Sequence, residues 1–365
     1  MNTGIETGKP AYDLSIITVC RNAGPRLQAT VESVLAVKAS TKLGVQHVVV
    51  DGASTDGTVE LLEEWARRGA VETYVSEPDA GIYDAMNKGI ALATGTVLYF
   101  LNAGDLLVDA ASLEACVVPL LKGVNQHAAA PVLHDSAPGM PEVPVFEYVY
   151  LGAPVCHQGY FATAALYRQL GGYDAASFRC MADADFMCKA YAAVGMPVVS
   201  DKPVAVFEDG GFSANCGYRY MPENVKVRAR HWDAVLQRCA ADVHYAELIG
   251  FALLEHCAYL VRWVPEFGLE DSNIEIQVQH VHDVCRLTGN WKQKLLLFWA
   301  EHVCLRQLRT NRQVTPRVET LLKWAAIAGS LRPENPFMKM EHYPHRSLRK
   351  ALRAMIARRL GLRAR

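Results

Sequence analysis

The first hundred residues alternate short apolar runs with segments in which apolar residues recur every three or four positions. Four apolar runs predict buried strands, at residues 14–19, 46–50, 71–75 and 97–101. The intervening segments have helical spacing and predict helices that begin near Pro25, Asp56 and Tyr83. Strand–helix alternation is typical of a parallel sheet covered by helices on both faces. The sequence therefore predicts an α/β domain of the Rossmann-like class.

The pattern changes further along the chain. Residues 121–144 are rich in Pro, Gly and His and predict a loop that could include a short strand at 128–133. The next predicted elements are a strand at 146–150, helices at 164–170 and 183–193, and a strand at 198–207. Only helical patterns follow, at 232–239, 246–262, 274–287, 291–308 and 318–331. We therefore expect an α/β domain over 1–216, a helical region over 217–335 and a tail over 336–365.

Basic residues are most concentrated in the last twenty positions of the chain, which gives the tail a character different from the rest of the protein. The chain of 365 residues has 37 Lys and Arg against 38 Asp and Glu, and eight of the basic residues and no acidic ones lie in Arg346–Arg365. The rest of the chain is acidic, with a balance of −9, which argues against a nucleic-acid-binding body. Apolar residues Leu348, Leu352 and Ile356 form a stripe between the basic ones. This pattern predicts a helix lying on an anionic membrane surface, with a solvated terminus or a helix docked on the acidic body as alternatives.

The ten cysteines contain no Cys-x-x-Cys pair and are spread through apolar segments, which predicts reduced, mostly buried thiols. No apolar run approaches the length of a membrane-spanning helix, and Met1–Pro10 has no apolar signal core. We therefore expect a cytoplasmic protein, soluble or peripheral to the membrane.

Polar clusters follow each of the four predicted strands in the first hundred residues. Ligands of open parallel sheets bind at the carboxyl ends of the strands, so these clusters predict one binding rim. Their most notable members are Thr18 and Asn22 after the first strand, Asp51 after the second, Asp79 after the third, and Asn102 and Asp105 after the fourth.

The rim lacks the glycine patterns of two common nucleotide folds. Residues 20–25 do not form a dinucleotide fingerprint, and the chain has no P-loop. Carboxylates remain: Asp51 can accept a hydrogen bond from a ribose hydroxyl or a base N–H, and Asp105 can bind a hard divalent cation. Because Mg²⁺ and Mn²⁺ fill much of their coordination with phosphate oxygens and water, one carboxylate plus a diphosphate is sufficient.

The ordered blocks at residues 18–22, 50–58, 76–89 and 101–105 resemble those of family 2 glycosyltransferases, which have the GT-A fold. The resemblance resumes at residues 156–158 and 182–186 and covers roughly the first 215 residues. It implies an inverting transfer of a sugar from a nucleoside diphosphate to an acceptor hydroxyl.

By position, the resemblance implies nucleotide-contacting roles for a set of rim residues: Thr18, Asn22, Asp51, Asp79 and Asn102. It makes Asp105 the ligand of Mn²⁺ or Mg²⁺, although Asn102 replaces an acidic member of the usual metal motif. Asp183 matches the general base. Ala182 replaces the Glu that usually precedes this base, which leaves Asp185 as the second choice.

Structural interpretations compete with several of these assignments. Asp183 and Asp185 could simply interact with the dipole of the helix that they begin. His157 could be a hydrogen-bonded structural residue or could line the acceptor pocket together with Gln158. Glu208 and Asp209 could belong to a flexible loop near the diphosphate or to a plain turn.

The predicted function is a metal-dependent hexosyl- or N-acetylhexosaminyltransferase. Its donor would be a UDP-sugar by default, and its acceptor a lipid-linked or polysaccharide intermediate of cell-surface glycan synthesis. The basic tail would hold it at the inner face of the cell membrane, and no nucleic acid is expected. The alternative is a non-catalytic sugar-nucleotide-binding partner, which Asn102 and Ala182 keep open. A third hypothesis, a nucleotidyltransferase, has less support, because such an enzyme would need a basic Gly-rich loop after the first strand and this chain has none there.

Overall fold

The computed structural model describes residues 11–146, 149–150, 153–209 and 220–242, and, between 245 and 287, residues 245–246, 249, 276, 279–280, 283–284 and 287. The chain divides into two compact units, Met1–Glu223 and Asn224–Arg365. The predicted helices at 291–308 and 318–331, most of 246–262 and the tail Arg346–Arg365 lie outside the described residues.

The first unit is built on a seven-stranded sheet. Its strands are β1 (Tyr12–Cys20), β2 (Val45–Asp51), β3 (Thr73–Ser76), β4 (Gly95–Phe100), β6 (His127–Ala129), β9 (Tyr160–Thr163) and β10 (Val198–Val199). They are arranged in the order β10-β6-β9-β4-β1-β2-β3. All pairings are parallel except those of β9, which is antiparallel to both β4 and β6.

A smaller four-stranded sheet has the order β5-β11-β7-β8. It contains β5 (Leu106–Leu107), β7 (Val132–His134), β8 (Ala137–Glu142) and β11 (Ala205–Phe207). The β7 and β11 strands are parallel, and the two outer pairings are antiparallel.

The helices are α1 (Gly24–Lys38), α2 (Thr58–Arg67), α3 (Ile82–Leu92), α4 (Ala110–Leu121), α5 (Ala164–Leu170), α6 (Ala182–Val194), α7 (Tyr220–Arg230) and α8 (Trp232–Ala241). A 3₁₀ turn covers His157–Gly159. Of these helices, none is long and apolar enough to cross a bilayer, a finding that extends only to the described part of the chain.

Helices cover the large sheet on both faces, as the strand–helix pattern predicts. Val34 of α1 and Val117 of α4 pack with Ile16 of β1 on one face. On the other face, Gly89 of α3 approaches Ile17 and Val50 so closely that a Cβ there would overlap the Ile17 side chain. Burial on both faces explains why β1 and β2 have near-continuous apolar sequences. The predicted α/β class, with a mostly parallel sheet flanked by helices, is confirmed.

Three predicted elements differ from the structure. The predicted strand at 146–150 is wrong for its described residues, since Val149 N donates to Phe146 O at 3.2 Å in a turn. The predicted strand at 198–207 is two strands, β10 and β11, in different sheets. The predicted loop at 121–144 contains three strands, and Pro131 lies between β6 and β7 because the chain changes sheets there.

In the second unit, the predicted helix at 232–239 is confirmed as α8. The described members of the predicted helix at 274–287 are helical. The Trp232 ring stacks on His280 with centroids 3.7 Å apart, and its Nε1 donates to Asp283 at 2.9 Å. These contacts join α8 to the segment around residue 280.

Candidate active site

The polar loops after β1, β2, β3 and β4 come together because these strands are neighbours in the large sheet. The order β4-β1-β2-β3 places the loop after β1 between those after β4 and β2. The four predicted clusters therefore form one rim at the carboxyl edge of the parallel strands.

Asp51 is fully buried at the end of β2. Its Oδ2 accepts hydrogen bonds from Ser54 N at 2.9 Å and Ser76 Oγ at 2.6 Å, and its Oδ1 accepts one from Ser54 Oγ. These bonds tie the loop after β2 to the end of β3. A direct contact between Asp51 and a nucleoside requires one of the two serines to give way.

Asn22 and Thr18 occupy different levels of the rim. Asn22 is exposed, with a φ of 49°, and joins the first two loops because its Oδ1 accepts from Thr55 N at 2.9 Å. The Thr18 side chain is fully buried below the rim, with its Oγ1 3.0 Å from His47 Nε2. This position does not favour the predicted nucleotide contact of the Thr18 hydroxyl, which supports the sheet instead.

Asp79 lies over the loop after β2. Its Oδ2 packs against Gly52, where an added Cβ would overlap the carboxylate, and its Oδ1 accepts from Gly81 N at 2.9 Å. Lys88 fixes the same loop by donating to Pro78 O at 2.7 Å and pairing with Glu77 at 2.8 Å. Asp79 therefore belongs to the same surface as Asn22, as predicted from the strand ends.

Asp105 is 3% exposed, in the turn between β4 and β5. Its Oδ2 accepts from Gln158 Nε2 at 2.7 Å and its Oδ1 from Glu208 N at 3.0 Å. Burial raises the pKa of the Asp105 carboxyl to about 6, although these two donors oppose the shift. Gln158 is itself held by Tyr99, whose hydroxyl donates to Gln158 O at 2.8 Å.

The turn at Asp105 has oxygen chemistry that suits a hard cation. Asn102 Oδ1 is buried and has no hydrogen-bond partner among the described residues. A bound cation would also offset the cost of burying the Asp105 charge. The described residues contain no group of three or more His, Cys, Asp or Glu side chains that could hold a metal. The residues therefore fit a cation that obtains most of its ligands from a diphosphate and water.

Asp183 and Asp185 begin α6 but have different environments. Asp185 is fully buried and pairs with Lys189 at 2.7 Å. Asp183 is half-buried, and its Oδ1 accepts from Tyr83 Oη at 2.7 Å and from Ala184 N at 2.9 Å. No described donor contacts Asp183 Oδ2. Of the two carboxylates, Asp183 is the one that is partly exposed to solvent.

His157 and Gln158 connect the two ends of the site through the 3₁₀ turn that contains both. Gln158 contacts Asp105, whereas His157 Nε2 lies 3.0 Å from Tyr173 Oη and its ring stacks on Phe100. Burial lowers the pKa of His157, and the charge of Asp183 opposes that shift. The Asp183 end of the site is thus lined by aromatic rings and a histidine that favours its neutral form.

Sequence reasoning missed two polar residues at this rim, Tyr83 and Arg26. Tyr83 holds Asp183, and Arg26 forms an ion pair with Glu208 beside Asp105. Glu208 was considered only as part of a loop, and the signal that could have identified it is the strand that precedes it. Tyr83 and Arg26 carried no sequence signal, because both lie on helices whose rotation relative to the rim becomes visible only in the fold.

Comparison with known proteins places the chain in a family. Residues 15–139 match the family model described as glycosyl transferase family 2. An uncharacterized glycosyltransferase of Mycobacterium tuberculosis is 32% identical over 217 residues, which cover 56% of this chain and 78% of the relative. A PGL/p-HBAD biosynthesis glycosyltransferase of Mycobacterium bovis is 29% identical over 187 residues, covering 49% and 69% respectively.

Solved structures agree at the level of the fold. The crystal structure of S. aureus TarS 1-349 in complex with UDP superposes with a TM-score of 0.56 at 16% identity. The match covers 83% of this chain and 90% of that one. Together with the length and identity of the sequence match, this similarity confirms the resemblance: the chain belongs to glycosyltransferase family 2.

Proposed function

We propose that the protein is an inverting glycosyltransferase that moves a hexosyl or N-acetylhexosaminyl group from a UDP-sugar to an acceptor hydroxyl. The acceptor would be a lipid-linked or polysaccharide intermediate of cell-surface glycan synthesis. One relative is named for PGL/p-HBAD biosynthesis, and the TarS structure of the same fold contains UDP. The observation that carries the proposal is the half-buried Asp183, which Tyr83 holds by one oxygen while the other accepts no hydrogen bond from the described residues.

The proposed reaction uses this arrangement of Asp183 and Tyr83. Asp183 Oδ2 accepts the proton of the acceptor hydroxyl as that oxygen attacks the anomeric carbon of the donor. The bond from the anomeric carbon to the diphosphate oxygen breaks in the same displacement, so the configuration inverts and the nucleoside diphosphate leaves with the bonding electrons. Tyr83 keeps the carboxylate in one orientation.

A divalent cation, Mn²⁺ or Mg²⁺, would supply stabilisation of the charge that develops on the leaving diphosphate. Asp105 would hold it. Gln158 and Glu208 N orient the Asp105 carboxylate by donating one hydrogen bond to each of its oxygens. Asn22, Asp79 and Asn102 would contact the donor along the same edge of the sheet, and Asp51 would fix the loops that carry them.

We further propose that the basic tail Arg346–Arg365 binds the anionic inner face of the cell membrane and brings the enzyme to its acceptor. The support is its sequence pattern, in which basic residues flank an apolar stripe. We expect replacement of Arg349 and Arg353 with Gln in the full chain to lower the binding constant for anionic vesicles, measured by co-sedimentation, by roughly thirtyfold. This factor corresponds to about 1 kcal/mol for each of the two charges removed. Equal sedimentation of the variant and the wild type would contradict this proposal.

Calorimetric titration of UDP, GDP and dTDP tests the donor and metal assignments together. Each nucleotide is titrated with Mn²⁺ and with EDTA, on the wild type and on Asp105→Asn, which keeps the shape of the side chain but removes its charge. We expect UDP to bind most tightly, and only the wild type to lose affinity in EDTA. Failure of all three nucleotides to bind would overturn the proposal. Tight binding of one nucleotide without any turnover of its sugar would favour the non-catalytic partner.

A further inference from the structure

We propose that Arg26 binds the diphosphate of the sugar donor, and that Glu208 occupies its guanidinium in the donor's absence. This inference rests on the proposed function, since it concerns the same nucleotide-sugar donor. Arg26 would provide a positive charge at the end of the site where the phosphates bind, whereas the charged rim residues proposed to bind the donor and its cation are carboxylates.

Strand order places Arg26 where the phosphates must cross. Asp79 and the loop after β2 lie on one side of β1. Asp105 lies on the other side of β1, in the turn that follows β4. A donor with its nucleoside over the first side and its diphosphate near Asp105 must therefore pass the loop that follows β1. Arg26 lies in the first turn of α1, immediately after that loop.

The guanidinium of Arg26 lies directly against the turn that carries Asp105. A Cβ placed on Gly104, where φ is 108°, would be 3.0 Å from Arg26 Nη2 and would overlap the Glu208 carboxylate. The positive charge of Arg26 also acts on Asp105, in the direction that favours its ionised form. The ion pair of Arg26 and Glu208 thus lies on the backbone beside the predicted metal ligand.

The pair itself has the properties of an exchangeable contact. Two nitrogens of Arg26 contact a single oxygen of Glu208, Oε2: Nε, which donates a hydrogen bond at 2.6 Å, and Nη2. The strongest arginine–carboxylate pairs instead form two parallel bonds, one to each carboxylate oxygen. The side chains are 48% and 33% exposed, and exposed ion pairs contribute little to stability. A phosphate can offer the guanidinium two oxygens in the parallel geometry that Glu208 does not provide.

Charge balance at the rim points the same way. Asp79, Asp105 and Glu208 are all acidic, and a diphosphate brought among them would be repelled unless cations faced it. The first turn of α1 contains no acidic residue, so Glu208 from the end of β11 is the anion that accompanies Arg26. The diphosphate would replace one anion by another at the same guanidinium.

The test compares Arg26→Gln with the wild type by calorimetry, using UDP, UMP and uridine in Mn²⁺. We expect Arg26→Gln to bind UDP about 10- to 100-fold more weakly, as expected for losing a charge-assisted bond, and to bind uridine unchanged. Arg68→Gln is the matched control, because Arg68 also forms an exposed ion pair, with Glu64, but lies at the end of α2. Thermal unfolding of each variant verifies that it is folded.

Glu208→Gln separates the two parts of the inference. If Glu208 only occupies Arg26, this variant binds UDP as tightly as the wild type or more tightly, and a tenfold loss would overturn that part. Equal UDP affinity of Arg26→Gln and the wild type would overturn the role of Arg26 while leaving the proposed function intact. Failure of the wild type to bind UDP, GDP or dTDP would overturn both.

Discussion

Asp183 and Asp185 show how much two similar residues can differ once a helix is placed. Both are acidic, lie in the first turn of α6 and are separated by one position, so helical periodicity offered no means of choosing between them, and only the family resemblance put Asp183 first. The structure buries Asp185 against Lys189 and leaves Asp183 beside Tyr83 and the rim. The choice depends on the rotation of α6 about its axis, which periodicity alone did not fix because both faces of this helix are largely apolar.

The bond from Tyr83 to Asp183 gives a prediction at the residue scale. Tyr83→Phe removes one donor to the carboxylate, so the orientation of the base becomes less fixed. We expect kcat to fall about tenfold with little change in the donor KM. Tyr74→Phe, in β3, serves as the control. A kcat of Tyr83→Phe equal to that of the wild type would show that Tyr83 does not position the base.

At the scale of elements, the first four strands and their helices were predictable because each strand is buried on both faces and each helix is amphipathic or capped by a turn. The bounds of the strands after residue 121, and the sheet to which each belongs, were not predictable. These strands have two or three residues in most cases and are held by pairing with partners distant in sequence, such as Ala205 with Val132. Local periodicity carries no information about such partners.

The smaller sheet contains a histidine that makes stability depend on pH. His134 of β7 lies 3.0 Å from Glu142 of β8 and 3.1 Å from Asp209 after β11. The bonds to these carboxylates raise the pKa of His134 to about 9, with burial opposing the shift. Because this pKa lies above that of the unfolded chain, the stabilisation is complete below about pH 6.5 and is lost as pH rises through about 9.

We therefore expect the free energy of unfolding to fall by about 2 kcal/mol between pH 6.5 and 9.5 through this group. His134→Gln should lack this part of the pH dependence. Urea unfolding of both proteins at the two pH values measures the difference, and comparison with the variant removes the contribution of the cysteines. Parallel pH dependence in the two proteins would show that His134 is not the responsible group.

At the scale of the whole molecule, the site is a property of strand order. Asn22, Asp79 and Asp105 are far apart in sequence but share one edge, because β1 lies between β2 and β4. The sequence predicted this edge from the positions of the strand ends. It could not predict that Thr18 and Asp51 lie beneath the surface, since burial of a polar side chain depends on partners such as His47 and Ser76 on neighbouring strands.

The central claim is that Asp183 is the base of a glycosyl transfer, and release of nucleoside diphosphate from sugar donors tests it most directly. Wild type, Asp183→Asn and the exposed control Asp201→Asn are compared on UDP-, GDP- and dTDP-sugars with water as acceptor. Asn at position 183 can still accept the Tyr83 hydrogen bond, so donor binding should persist while turnover falls by about 10²- to 10⁴-fold. Turnover of Asp183→Asn equal to that of the wild type would contradict the account.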